Sequence, residues 1–532
     1  MKLIKNNIFF GAIALLIGAF FTSCDLNLAP IDYYGSESYW KKEAHIVGYM
    51  DGMHNHLRST NFQRQFVLGE ARGGSLVTGK TSQDFATQYN NIKLQNLSQA
   101  SPGLNNWGGY YGRIFNTNFF IQKTLEAGYM PDDKKAFYLG QAYGLRALYY
   151  FDLYRTYGGV PLQLEPKVTD GILDPEELYA ERSAPSLVMK QIKADIEESL
   201  KYFGNTTSFD PYNRGYRKSY WSKAATETLK GEVYLWTSKV TTGDDAANEA
   251  DLAVAKTAFT NVLNNYGLEL LDDYSKVFDA RTKGHAEAIM AVRYAEGEAS
   301  NNAGSFAYSL LGGFLGTWAG RDGKVINKDT LEIQAGSGHW NEYKFELFTS
   351  FDPEDTRRDA TFLDLYNPET KKLAGLVLRK NLGYNNAQGV RQYVGDEFIY
   401  RLPFVYLSLA EIENMQGGDV AKYINPVRKR AYGANWNEAV HGYKNGNFTQ
   451  NELAILAEKD KEFINEGQRW YDVRRMTLTK GGKHLVFVKE GNIGSDRPLL
   501  DEATEAYKVL WPIETNMMNK DPKVKQTPGY EE

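Results

Sequence analysis

The sequence predicts a mostly α-helical protein in which antiparallel helical hairpins flank a loop-rich region with minor β structure. In several long segments, apolar residues recur at spacings of three and four positions, which is typical of amphipathic helices. These segments come in pairs joined by short polar connections. Residues 280–400 lack the helical period and contain glycine-rich stretches with brief apolar runs. Loops carried by a helical scaffold are a common location for binding sites.

The first predicted hairpin pairs a helix in WGGYYGRIFNTNFFIQKTLEAG with one in LGQAYGLRALYYFDLYRTYGGVPL, and MPDDKK joins them. Leu145, Tyr149 and Leu153 share one face of the second helix. Further apolar positions widen that face, so we predict that this helix is largely buried. Gly158-Gly159 and Pro161 are expected to end it.

The same pattern recurs along the chain. Helices are predicted in APSLVMKQIKADIEESLKYF, WSKAATETLKGEVYLWTSKV, DLAVAKTAFTNVLNNYG, PFVYLSLAEIENMQ and DVAKYINPVRKRAYG, the last with a kink at Pro426. Thr449 and Glu452 form a predicted capping box at the head of one long helix, TQNELAILAEKDKEFINEGQRWYDVRRM. AIMAVRY and LVLRK are predicted strands. Repeated helix pairs are typical of tetratricopeptide-like folds.

The N-terminal segment predicts export and lipid attachment. Lys2 and Lys5 precede an apolar run, Phe9–Phe21, that is shorter than the about 20 residues needed to span a bilayer but fits a secretory signal. Cys24 is the only cysteine in the 532 residues and follows in FTSC, which resembles a bacterial lipobox. We therefore expect residues 1–23 to be a lipoprotein signal peptide and Cys24 to carry acyl chains.

Residues 74–81, GSLVTGKT, match the nucleotide-binding pattern G-x-x-x-x-G-K-[ST]. Two observations argue against an ATPase. The export signal directs the chain away from cytoplasmic ATP, and the following SQDFATQYNNIKLQ lacks the apolar helix face that a phosphate-binding loop precedes. We interpret the match as coincidental, in a flexible surface turn where Lys80 is solvated or contacts a ligand.

Composition narrows the function classes. With 61 basic and 66 acidic residues the net charge is −5, which gives no electrostatic footprint for nucleic acid. Aromatic residues make up 14% of the chain, a proportion compatible with stacking on sugar rings. A lone cysteine leaves no intramolecular disulfide and no expected cysteine nucleophile. The sequence does not exclude a Ser–His–Asp or paired-carboxylate site.

Two further motifs are assigned structural roles. His54 and His56 point to different faces of a predicted helix and have no third ligand at a suitable spacing, so no metal site is expected. In EGQRWYDVRRM, we predict that Arg469 and Asp472 form ion pairs within the helix. Trp470 and its apolar neighbour Val473 are predicted to pack inward.

Several segments resemble, in order, those of the SusD/RagB family. They are CDLNLAP, WGGYYGRIFNTNFFI, LRALYYFDLYRTYGGVPL, NYGLELLDDYSKVFDA, HAEAIMAVRY, YINPVRKRAYG, EFINEGQRWYDVRRM and LWPIETNMMNKDPKVKQTPGY. The resemblance covers nearly the whole chain. It implies a single SusD-like body over residues 24–532, with an N-terminal part at 24–240 and a C-terminal part at 241–532 that includes the loop-rich 280–400.

The resemblance also implies a function. Family members are outer-membrane, cell-surface lipoproteins that bind glycans, use no cofactor and are generally not catalytic. They have four tetratricopeptide-like units and deliver oligosaccharides to a SusC-like TonB-dependent transporter. RagB-like members handle peptides, so a peptide or glycopeptide ligand stays open. Two further function classes also stay open, an extracytoplasmic hydrolase and a helical-repeat scaffold that has only protein partners.

Ligand contacts are expected in two loop regions, because family members bind ligand with loops after the first helical segments and with loops in the less regular half. Here these are residues 72–90 and 300–345. The selected candidates are Arg72, Asp84, Phe85 and Tyr89 in the first, and Tyr308, Trp318, Arg321 and Trp340 in the second. Trp318 lies among glycines, which favours an exposed ring able to stack on a sugar. The identity of the glycan is not predicted.

Overall fold

The computed structural model describes residues 39–78, 89–104, 107–167, 175–215, 218–301, 315–328 and 341–530. It is mostly helical, as predicted. The longer helices are α1 (Glu43–Phe62), α2 (Gly108–Glu126), α3 (Asp132–Tyr157), α4 (Pro185–Phe203), α5 (Lys223–Thr237), α6 (Asp251–Asn265), α7 (Leu402–Gln416), α8 (Ala421–Tyr432), α9 (Phe448–Glu462) and α10 (Arg469–Arg475). Short helices span Asn90–Lys93, Tyr274–Val277, Phe345–Thr349, Thr356–Thr361, Glu438–His441, Glu502–Glu505 and Thr515–Lys520, and a π-helical segment, Gln63–Leu68, extends α1.

The first eight of these helices form hairpins packed in series. Helix α1 packs on α2, α3 on α4, α5 on α6, and α7 on α8. Each hairpin also contacts the next through the pairs α2–α3, α4–α5 and α6–α7, and α9 packs against α7. This arrangement of four hairpins agrees with the tetratricopeptide-like units that the helical periodicity and the family resemblance indicate.

Helix α3 lies at the centre of this stack. Leu145, Leu148 and Phe151 are completely buried, as are most of the residues from Phe137 to its end. Burying side chains of this size contributes roughly 1.5–3 kcal/mol each to folding, before the entropy cost of ordering them. The predicted burial of this helix is therefore confirmed. Its start differs from the prediction, because MPDDKK is not a linker: the helix begins at Asp132.

The expected long helix over 449–476 is two helices, α9 and α10. The chain turns between them, where Asn465 and Gly467 have φ values of 59° and 74°. The capping box is also displaced: Asn447 accepts from the backbone N–H of Gln450, whose side chain accepts from the backbone N–H of Asn447. The predicted box was wrong because Glu452 is buried and bonds elsewhere, to Lys239 and other groups.

The β structure within the described residues is limited to short antiparallel pairs. Strand β1 (Ala288–Val292) pairs with β6 (Glu397–Arg401), β2 (Phe362–Tyr366) with β3 (Leu373–Leu378), and β4 (Tyr384–Asn385) with β5 (Arg391–Gln392). The predicted strands AIMAVRY and LVLRK correspond to β1 and to the end of β3. The β1–β6 pair leads directly into α7, which connects the loop-rich region to the helical stack.

A buried cluster of ion pairs lies where α8, α9 and β6 meet. Glu462 is inaccessible to solvent and accepts hydrogen bonds from Arg357, Arg401 and Arg430. Glu287 pairs with the second and third of these arginines at 3.0 and 2.7 Å. Each buried charge has opposite partners, without which its desolvation would cost several kcal/mol.

His54 is a structural residue. Its ring is buried, with Nδ1 3.0 Å from the carbonyl of Met50, and Nε2 accepts from the backbone N–H of Trp221 at 2.9 Å. Burial lowers the pKa of His54 to about 4. Among the described residues, no three or more histidine, cysteine or acidic side chains are arranged so that they could bind a metal ion. None of the described helices is long and apolar enough to cross a membrane.

Candidate ligand-binding site

The two loop regions expected to bind ligand meet in the structure. The backbone N–H of Val77 donates to the carbonyl of Glu342 at 2.8 Å, and that of Lys344 donates to the carbonyl of Ser75 at 2.9 Å. We call these paired segments, Ser75–Val77 and Glu342–Lys344, the loop junction. Residues 79–88 follow its first strand closely in sequence, and residues 329–340 precede its second. The described parts of the two loop regions therefore lie side by side at the junction.

The loop junction is built around a buried carboxyl group. Glu70 is 2% exposed, and its Oε1 accepts from the hydroxyls of Tyr343 at 3.2 Å and Ser75 at 3.3 Å. Burial raises the pKa of Glu70 to about 7. The side chain thus ties both strands of the junction to the chain that follows α1.

Arg72 does not face a ligand, contrary to the prediction. Its guanidinium is completely buried, 4.1 Å from the ring centre of Trp470 and 5.2 Å from that of Trp511. Its Nε donates to Gln95 at 2.6 Å, and another nitrogen donates to the carbonyl of Lys508. Because these aromatic partners enclose it, Arg72 anchors the chain that leads into the loop junction.

The segment EGQRWYDVRRM packs against the chain just before the loop junction. Arg469 Nε donates to the carbonyl of Gly73 at 3.1 Å, and the backbone N–H of Trp470 donates to Gly69 at 2.9 Å. A Cβ atom at Gly73 would lie 2.4 Å from Arg469, so only glycine fits this contact. The predicted structural role is confirmed for Trp470, which is fully buried. Of the charged residues, Asp472 forms an i,i+3 ion pair within the helix as expected, with Arg475 at 2.7 Å, whereas Arg469 pairs with Asp460 of α9 instead.

Tyr89 lies where the chain re-enters the described structure after the first loop. It has a left-handed backbone with φ of 59°, which is uncommon for a residue with a large side chain. Its half-buried ring lies 6.1 Å from that of Phe62 and 5.8 Å from that of Phe66. The ring is thus held by the end of α1 while part of it remains accessible.

Trp318 belongs to a tight hairpin over residues 316–326. The backbone N–H groups of Gly316 and Ile326 donate to Ile326 and Trp318 at 2.8 Å each, and Ala319 exchanges two backbone bonds with Tyr366 at the end of β2. The Trp318 ring packs partly against the core and is partly accessible. These backbone hydrogen bonds therefore fix the position of the hairpin that carries the Trp318 ring.

Arg321, in the same hairpin, is engaged in ion pairs. Its guanidinium donates to both carboxylate oxygens of Asp359 at 2.6 and 3.0 Å and to both of Asp364 at 2.6 and 2.9 Å. These contacts use nearly all of its five N–H groups. Arg321 fastens the Trp318 hairpin to β2, and little donor capacity is left for a ligand.

The other selected residues, Asp84, Phe85, Tyr308 and Trp340, lie outside the described residues, as does Cys24. So do Lys80 and Thr81 of GSLVTGKT. The described part of that motif is not a flexible surface turn: Ser75 and Leu76 are buried, and Leu76 pairs with Tyr343. Glu70 and Tyr343, whose hydrogen bond holds the junction to the chain that follows α1, were not selected from sequence, since nothing local connects two positions so far apart.

Two protein-family models match this chain, one in each half. Residues 45–229 match a family model described as "Starch-binding associating with outer membrane", and residues 350–530 match the model of the SusD family. The SusD-like protein P38 of Formosa agariphila is 24% identical over 569 residues, covering 100% of both chains.

Solved structures agree closely with the fold. A SusD superfamily protein from Bacteroides fragilis NCTC 9343 is 52% identical, with 93% of this chain and 100% of that chain covered and a TM-score of 0.86. NanU of B. fragilis is 32% identical, with 95% and 100% covered and a TM-score of 0.80. Both comparisons extend over almost the whole described structure.

Proposed function

The chain belongs to the SusD family, and from that membership we propose that it is a glycan-binding protein of the cell surface that captures oligosaccharides without breaking a bond. In this proposal a lipid on Cys24 anchors it to the outer membrane. It delivers its ligand to a partner SusC-like TonB-dependent transporter. The description of the family model that matches residues 45–229 supports the ligand class and the membrane association.

One structural observation carries the location of the site. The loop junction brings together the two regions from which the ligand contacts were predicted, through hydrogen bonds of 2.8 and 2.9 Å between their backbones. Because a rigid base holds both regions, their outer residues can converge on one ligand. We therefore propose that the ligand binds above the loop junction.

Tyr89 and Trp318 are the proposed aromatic contacts among the described residues. Both rings are half-buried and fixed by neighbours, so little side-chain entropy would be lost when a sugar packs on the remaining face. Asp84, Phe85, Tyr308 and Trp340 remain proposed contacts from the loops. Net contributions from hydrogen bonds to sugar hydroxyls are small, so we expect modest affinity.

Two acids that hold the Trp318 hairpin are consistent with a non-catalytic role. Asp359 and Asp364 are both paired with Arg321, which lowers the pKa of Asp359 to about 2 and keeps its carboxylate ionised. A carboxylate held in this way is a poor general acid at neutral pH.

The experiment is a glycan-array screen of residues 25–532, followed by calorimetry on the glycans that bind. This form retains every described residue. We expect the variants Trp318→Ala and Tyr89→Asn each to weaken binding about fivefold or more, since stacking contacts of this kind contribute on the order of 1 kcal/mol. Asparagine is chosen at Tyr89 because it tolerates the left-handed backbone.

Trp436→Ala is the matched control, because this half-buried tryptophan packs on Tyr432 and His441 near α8, and none of these residues belongs to the loop junction. Unchanged binding in both site variants would refute the proposed location. The absence of binding to any glycan would refute the proposed ligand class, and a peptide panel would then follow. The similar proteins found do not favour a peptide ligand.

A further inference from the structure

A cavity of about 390 Å³ opens on a different part of the loop-rich region, between the Tyr274–Val277 helix with the residues that follow it and the β4–β5 hairpin. Its lining is mostly polar and is rich in basic side chains. The residues that line it are Ser275, Phe278, Asp279, Arg281, Ala360, Arg379, Lys380, Leu382, Gly383, Tyr384, Asn385 and Arg391. The loop junction contributes no residue to it.

Arg379 supplies an available positive charge. Its side chain is exposed, and one Nη donates to the backbone carbonyl of Asp359 at 2.6 Å. Among the residues described, no carboxylate lies within ion-pairing distance of this guanidinium, although most arginines of this region have such a partner. A neutral carbonyl fixes the group without neutralising it, so Arg379 keeps both its charge and free N–H donors.

Arg281 and Arg391 add two more guanidinium groups to the lining. Arg281 is 66% exposed, lies 5.0 Å from the ring centre of Tyr384 and is only loosely associated with Asp279, at 4.0 Å. Arg391 donates through Nε to the carbonyl of Leu382 at 2.7 Å. Asp279 is the one acidic residue in the lining, so the cavity wall carries a clear excess of positive charge.

Lys380 adds no unpaired positive charge to the cavity and is not a ligand contact. Its ammonium group is buried and donates to Glu466 at 3.0 Å and to the carbonyls of Glu462 and Ile464 at 3.1 and 2.9 Å. All three of its donors are therefore used within the protein. Only its hydrocarbon stem is available to the cavity.

The wall of the cavity is locally rigid. Gly383 has φ of 67°, and a Cβ atom there would lie 1.7 Å from the carbonyl oxygen of Gln392, so the chain passes closer than any other residue would allow. The Tyr384 hydroxyl donates to Glu296 at 3.2 Å. These contacts hold the rim on which Arg281 and Arg391 rest, which reduces the ordering cost of binding.

We propose that this cavity binds an oxyanion, a carboxylate or a sulfate group, carried on an acidic sugar. Guanidinium groups match both anions because they offer paired N–H donors in one plane. The volume accommodates a monosaccharide-sized group, and most of the wall can hydrogen bond to hydroxyls. The site is separate from the loop junction and goes beyond the oligosaccharide capture proposed above.

The test measures binding of glucuronate and of glucose 6-sulfate to the purified protein by saturation-transfer NMR, with glucose as the uncharged probe. We expect either or both acidic sugars to bind, and glucose to bind at least tenfold more weakly. The double variant Arg281→Gln/Arg379→Gln should lose at least tenfold in affinity for them. Binding should also weaken as salt is added, because the contacts are ionic. A carboxylate site and a sulfate site are distinguished by which acidic probe binds.

Arg497→Gln is the matched control, since it removes an exposed arginine outside the cavity. Its affinity for the acidic sugars should equal that of the unmodified protein. The proposal is overturned if neither acidic sugar binds, or if the double variant binds them as well as the control does. Loss of neutral-oligosaccharide binding in the double variant would also overturn it, since the two sites would then not be separate.

Discussion

The hydroxyl of Tyr343 donates to Glu70 across 3.2 Å, although 273 positions separate the two residues along the chain. This contact ties the segment after α1 to the loop-rich region and places a buried carboxyl group under the proposed ligand site.

The first prediction concerns the pH dependence of stability. Burial raises the pKa of Glu70 to about 7 from an ordinary value of 4.5. The folded protein therefore binds the proton of the Glu70 carboxyl more tightly than the unfolded chain does. The stability that this group contributes is lost as the pH rises from about 4.5 to about 7. Between pH 5 and 8, the unfolding free energy should fall by on the order of 2–3 kcal/mol more than in Glu70→Gln.

Urea unfolding of both proteins at several pH values measures this difference, and taking the difference removes the contributions of other titrating groups. Glu369→Gln, at an exposed position, serves as the control and should follow the unmodified protein. Parallel stability curves for the unmodified protein and Glu70→Gln would show that Glu70 titrates normally.

The second prediction concerns the buried charge cluster at Glu462. Glu462→Gln removes the negative charge shared by Arg357, Arg401 and Arg430, which are all buried. Removing one member of a buried ionic cluster leaves uncompensated charge, so we expect a loss of about 3–5 kcal/mol in unfolding free energy. Denaturant unfolding at neutral pH measures it.

For comparison, Glu198→Gln removes an exposed ion pair with Lys201 on α4. We expect no measurable change in its denaturation midpoint, because solvent screens such pairs. Equal effects of the two substitutions would contradict the structural role of the cluster.

The third prediction uses two helical glycines with opposite surroundings. A Cβ atom at Gly144 in α3 would lie 2.0 Å from Nε1 of buried Trp221, whereas one at Gly112 in α2 would meet nothing within 4 Å. Gly144→Ala should therefore destabilise the protein by about 1–3 kcal/mol through overpacking. Gly112→Ala should stabilise it by about 0.5–1 kcal/mol, since alanine favours the helix. Thermal unfolding compares them, and effects of the same sign would be inconsistent with the packing of α3.

The fourth prediction concerns membrane attachment. We expect the protein, expressed with its own N-terminal segment, to incorporate a labelled fatty acid and to fractionate with membranes. Cys24→Ala should abolish the label and release the protein, because no other cysteine is present. Metabolic labelling and fractionation measure both properties. Labelling that persists in the variant would exclude this lipid site.

Much of the helical stack is predictable from sequence, because its information is local. The spacing of Leu145, Tyr149 and Leu153 suffices to place α3 and its buried face. Where a side chain has a distant partner, local pattern fails. Glu452 has the spacing of a capping residue after Thr449, yet Lys239 pairs with it in the core.

In the candidate site, too, local sequence patterns fail where a side chain has a distant partner. Arg72 was selected from the first expected loop region, but Trp470 and Trp511 enclose it. Arg321 was selected from the second expected loop region, but Asp359 and Asp364 take up nearly all of its N–H donors. Neither set of partners can be identified from local sequence. What the sequence did indicate was that two particular loop regions act together, and the structure brings them into contact.

The order in which a ribosome makes this chain bears on the loop junction. Its first strand is supported by Arg469, Trp470 and Trp511, which are synthesised roughly 400 residues after it. A growing chain can therefore assemble the first hairpins before these three supporting residues have been synthesised. Contacts of such long sequence separation form slowly. Ligand-binding competence is accordingly a late event in folding, and a chain that stops before these residues would keep early helices without a finished binding surface.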